Sequence, residues 1–201
     1  MGAYDPLFSR RERDDSDLDQ ARQLFARASR PYLRTPWSWC GWAVVLPAGA
    51  LATNPVAARW GLVGVLFLWT AVIVVGGVGE ATAILRPGGL ASTGLAQWVL
   101  RSQGNLSLIA VALSITLVVV REAWALPAVW LLLLGHSFFA YGGLALPAIR
   151  WAGIIYQLGG VAALLPGTNP LWAMAIATGL GNLWIARAVY REQRAAPGDR
   201  P

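Results

Sequence analysis

From Trp37 to Leu85 the chain carries charge only at Arg59 and Glu80, and from Trp151 to Ala186 it carries none. A bilayer hydrocarbon core of about 30 Å needs on the order of 20 apolar helical residues to cross it. Apolar runs this long therefore predict an all-α, polytopic membrane protein. Composition agrees: 56% of the 201 residues are hydrophobic and 13% are charged, where a soluble domain has roughly a quarter charged.

Six transmembrane helices are expected, at roughly 37–53, 60–85, 105–120, 123–147, 150–166 and 171–190. The third is short and borrows length from the preceding STGLAQWVLRSQGN. The expected organisation is a cytoplasmic arginine-rich tail over 1–35, a six-helix transmembrane bundle over 36–190, and a cytoplasmic C-terminal tail over 191–201.

Within the tail, Leu18, Ala21, Phe25, Ala28 and Tyr32 share one helical face. Ser16 followed by Asp19 approximates a capping box. The spacing predicts a short amphipathic helix, lying on the membrane surface or packed beneath the bundle. The tail has no apolar signal-peptide core, and Pro6 defeats the lipidation pattern that Met1-Gly2 would otherwise suggest.

All sixteen basic residues are arginine, which reads as a high-GC bacterial coding bias. With six spans and the N-terminus inside, fourteen of them flank the cytoplasmic ends, and only Arg59 and Arg121 fall outside. That positive-inside asymmetry predicts a bacterial inner-membrane protein with both termini cytoplasmic. It also accounts for the net charge of +6 without invoking nucleic acid. Most tryptophans, Trp39 and Trp42 among them, fall near expected interfaces, whereas Trp69 and Trp130 lie deeper as packing residues.

Polar groups inside a bilayer are costly and so mark candidate sites. Glu80, Gln157 and Asn182 lie roughly 8–11 Å in from the nearest arginine, counted at 1.5 Å per residue. Tyr141 and Tyr156 reach comparable depths. Small residues share their faces, so these groups are expected to point inward as one polar layer. The layer reads either as interhelical hydrogen bonds or as a cavity in which Glu80 binds a cation or relays a proton.

His136, the one histidine, is expected roughly 20 Å from either end of the fourth span. Its face carries Leu132, Leu133, Phe139 and Ala140. A lone imidazole can ligate haem iron or the magnesium of a chlorophyll-type pigment, but cannot make a two-histidine haem site. The alternative is a neutral histidine bonded to a neighbouring helix through Ser137.

Cys40 reads as a small packing residue. The chain has no H-E-x-x-H, C-x-x-C, P-loop or G-x-S-x-G pattern. Aspartates occur only in the tails, so acid-base enzymology has little to work with. Similar endings at 76–86, 141–150 and 179–187 suggest a helical-hairpin repeat, or merely glycines where helices pack closely.

In its N-terminal helix, in VWLLLLGHSFFAYGGLALPAIRWAGIIYQLGG at 129–160 and in the last helix ATGLGNLWIARAVYR, the chain resembles a loose set of uncharacterised bacterial six-helix membrane proteins. The resemblance implies architecture without an activity. The leading expectation is a non-catalytic accessory or structural subunit that packs against a larger membrane complex or self-associates. A small transporter or channel for a proton, cation or polar solute is the second, and a sensory protein signalling through its N-terminal helix the third.

Overall fold

The computed structural model describes residues 20, 36–84, 94–142 and 146–195. Apart from residue 20, the N-terminal tail and its expected amphipathic helix lie outside them. The architecture is helical throughout: α1 (Pro36–Ile84), α2 (Gly94–Val119), a 3-10 turn (Ala123–Ala125), α3 (Leu126–Gly142), α4 (Pro147–Ala163) and α5 (Pro170–Ala195). Among the described residues, three segments are long and apolar enough to cross a membrane: Pro36–Val78, Arg101–Val119 and Ala123–Gly142. This is fewer than the six expected: Pro36–Val78 is one segment although it takes in two expected spans, α4 has only 17 residues, and α5 carries Asn182 and Arg187 within its apolar stretch.

The 49 residues of α1 are not one rod. At Gly61 the backbone takes φ 62° and ψ −156°, a region open essentially to glycine alone. The chain reverses there. Thr53 and Trp69 are hydrogen-bonded, Gly49 lies against Val72, and Gly76 lies under the ring of Trp42. Residues 36–60 and 62–84 are therefore the two arms of an antiparallel hairpin.

The other helix ends follow local chemistry. Asn169 Oδ1 accepts from the backbone N–H groups of Leu171 (3.0 Å) and Trp172 (3.4 Å), capping α5 ahead of Pro170. Pro147 opens α4 at a position where no N–H is needed. After α2, Arg121 turns the chain at φ 64°. α3 stops at Gly142, short of the expected 147, and α2 begins earlier than the expected 105. The stretch 141–150 thus straddles the α3–α4 connection and does not end a helix, which removes it from the expected repeat.

α3 and α4 make the closest pair. A Cβ on Gly153 would lie 2.7 Å from the carbonyl oxygen of Gly135, and one on Gly135 would lie 2.8 Å from the backbone nitrogen of Gln157. Only glycines allow backbones this near. α4 packs in turn on α5, where Gly181 meets Tyr156 and Gly159 meets Ala177, and α5 packs on the first arm of α1, where Gly179 faces Pro47.

Two buried clusters result. One joins Trp39, Leu146, Ile149, Ala152, Ile185 and Val189. The other joins Ala50, Leu131, Tyr156, Met174, Ala175 and Ala177, with Trp69 and Trp130 packed against it. Residues 62–78 of the second arm of α1 and 101–119 of α2 are by contrast largely exposed and apolar, as at Phe67, Val74, Leu108 and Ile115.

Candidate functional site

Asn182 and Tyr156 are each 1% exposed, and Asn182 Nδ2 donates to the Tyr156 hydroxyl at 2.8 Å. Tyr156 reaches this position because Ala152 and Gly181 leave room for its ring between α4 and α5. One turn before Asn182, Thr178 donates to the Met174 carbonyl at 2.8 Å and so satisfies its own hydroxyl within α5. Aromatic rings close the other side. Phe138 packs against Tyr156 with ring centroids 5.3 Å apart, and Trp39 meets Phe138 edge-on at 6.0 Å.

A second polar contact lies at the same height. Gln103 Nε2 on α2 donates to Ser137 Oγ on α3, and Ser137 is buried. Gly135 faces α4 between Gly153 and Gln157. That register puts residues 135–137 within about 3 Å of the level of Tyr156, at 1.5 Å rise per residue. Gln103, His136, Ser137, Tyr156, Gln157 and Asn182 therefore form one band across the bundle.

The residues expected in a polar layer are placed as follows. Tyr156 and Asn182 are brought together. Gln157 stands at the same level, half-buried against Gly135. Tyr141 is half-buried more than a turn further along α3. For Glu80 only the backbone position is described.

Gln103 and Ser137 were not expected as members. Gln103 sits in a stretch whose polar residues read as an interfacial lead-in, and the serine is inconspicuous beside a histidine. The usable signal was the pair of hydrogen-bonding side chains on consecutive helices.

His136 is exposed. Its neighbours in sequence are both committed, Gly135 to α4 and Ser137 to α2. The 100° step per residue turns the imidazole outward between them, onto a strip with Val129, Leu133 and Ala140. Ser137 bonds to Gln103 and not to the histidine. Because α3 ends at Gly142, His136 lies about 9 Å from the helix end, not 20 Å.

Two tryptophans are held alike. Trp69 Nε1 donates to Thr53 Oγ1 at 3.2 Å, and Thr53 donates to the Gly49 carbonyl. Trp130 Nε1 donates to Ser114 Oγ at 3.1 Å, and Ser114 donates to the Ala110 carbonyl. Each position of the second set is 61 above the first (114 − 53 = 61; 130 − 69 = 61; 110 − 49 = 61). The same offset carries the Trp42–Gly76 contact onto the Gln103–Ser137 bond. The α1 hairpin and the α2–α3 hairpin thus share one register. Of the interlocking residues only tryptophan is identical, so the match is invisible in sequence.

Trp39 and Trp42 pack within the bundle: Trp39 is buried and Trp42 covers Gly76. Cys40 is half-buried against the Trp39 cluster. A shallow cleft at the α1 turn is lined by Val56, Trp60, Val63, Gly64, Phe67 and Leu68, and offers no acid, base or nucleophile. Among the described residues, no three histidine, cysteine or carboxylate groups lie together where they could hold a metal. Compared with protein-family models, with curated proteins and with solved structures, the chain matches none of them.

Proposed function

We propose that this chain is a six-helix integral membrane protein serving as a non-catalytic accessory or structural subunit. Counting the two arms of α1 separately, consecutive helices run antiparallel wherever their contacts are described. That supports six crossings, with α4 short. The arginine distribution supports a bacterial inner membrane with both termini cytoplasmic. This is the layout of the loose set of bacterial membrane proteins that the sequence resembles.

The observation that carries the subunit reading is the closed Asn182–Tyr156 pair. Two buried polar side chains bond to each other under a lid of Phe138 and Trp39. They hold helices together and line no path. The exposed apolar flanks of α1 and α2 supply surface for a membrane-protein partner or a second copy, and the exposed His136 is a contact that such a partner, haem or a pigment could use.

Purification in mild detergent from the native membrane tests this reading. A defined complex or oligomer is expected, and a lone monomer without partner or pigment overturns it.

The matched hairpins favour a second reading, since transporters are commonly built from internal repeats. On that reading Glu80 and Asn182 serve a proton, cation or small polar solute. Flux into proteoliposomes that survives Glu80→Gln and Asn182→Leu removes it.

A further inference from the structure

We infer that the outer face of α3 and α4 around His136 and Arg150 binds an anionic glycerophospholipid, a site that rests on the membrane-spanning reading above. Three kinds of group follow one another along this face. Arg150, in the first turn of α4, is exposed, and its guanidinium lies over the ring of Phe139 at 4.7 Å from the centroid. Phe139 and His136 are three apart on α3, hence neighbours on one face. The imidazole therefore lies about one helical turn, roughly 5 Å, deeper than the cation. Beyond it the strip continues through the apolar Leu133 and Val129.

A glycerophospholipid presents its groups in the same order. The phosphate is outermost, ester carbonyls follow, and acyl chains lie deepest. Stacking on Phe139 uses the flat face of the guanidinium and leaves its N–H edge for phosphate oxygens. A neutral imidazole has an N–H to donate to an ester carbonyl. Among the described residues neither Arg150 nor His136 has a carboxylate or other hydrogen-bonding partner. An N–H left unpaired in the bilayer is costly, so the ordering of this strip is matched by a lipid and not by hydrocarbon alone. Free phosphate has no carbonyl to reach His136, and a zwitterionic headgroup brings its own cation beside Arg150.

Native mass spectrometry of the full chain, delipidated and then titrated with phosphatidylglycerol or phosphatidylcholine, tests the site. Tighter retention of phosphatidylglycerol is expected. It should fall about fivefold in Arg150→Gln, the worth of one basic side chain at an anionic lipid surface. His136→Leu should weaken both lipids, and Arg59→Gln, at the far end of the bundle, should weaken neither. Equal retention of the two lipids, retention unchanged in both site variants, or displacement by inorganic phosphate overturns the site. Flotation with phosphatidylcholine vesicles separates the two levels: a chain that does not float removes the membrane reading itself, and one that floats without lipid preference removes only the site.

Discussion

Tyr156 on α4 accepts a 2.8 Å hydrogen bond from Asn182 on α5, with both side chains buried and aromatic rings packed over them. The bond ties two helices at the centre of the bundle. A buried amide in an apolar setting needs such a partner, and hydrogen bonds between membrane helices contribute on the order of 1 kcal/mol each.

Tyr156→Phe therefore removes a small, definite quantity. A double-mutant cycle with Asn182→Ala, read by equilibrium unfolding in mixed detergent micelles, is expected to give a coupling of about 1 kcal/mol. Full additivity would mean that the two groups do not interact.

The α3–α4 crossing has a steeper dependence. A methyl on Gly153 meets the backbone of α3, which has no flexible end to move aside. Gly153→Ala should lower stability by about 1–3 kcal/mol, the usual penalty of overpacking. Gly77→Ala, with nothing within 4 Å of the new carbon, should be neutral or slightly stabilising through helix propensity. Thermal unfolding of the two variants in one detergent checks the contrast.

The hairpin turn depends on Gly61. An L-residue at φ 62° and ψ −156° is strained by about 1–3 kcal/mol. Gly61→Val should destabilise without altering helix content by circular dichroism. Gly41→Val, which also meets nothing within 4 Å but has no positive φ, should cost less.

The matched registers make a paired prediction. Trp69→Phe and Trp130→Phe each keep a ring and lose one indole hydrogen bond to a hydroxyl. Each should cost about 1 kcal/mol, and the two losses should be similar. Strongly unequal losses in chemical unfolding would mean that the two hairpins carry different loads.

Much of this was written in the chain. The length of the charge-free runs pointed to helices, and α5 starts within one residue of the expected 171, whereas α4 starts at Pro147, which the sequence had placed at the end of the preceding span. Glycine and alanine beside Gln157 and Asn182 pointed those faces inward, because close approach needs small residues. Tyr156 and Asn182, counted to similar depths from the arginines, do meet in a hydrogen bond.

What the sequence could not hold is relative rotation and register between helices. The outward turn of His136 follows from its neighbours' commitments, Gly135 to the backbone of α4 and Ser137 to Gln103. Both are contacts between residues distant in the chain. The end of α3 at Gly142 and the inward placement of Trp39 have the same origin. Apolar periodicity is nearly featureless in helices that are apolar all round, so only packing between them chooses which side faces in.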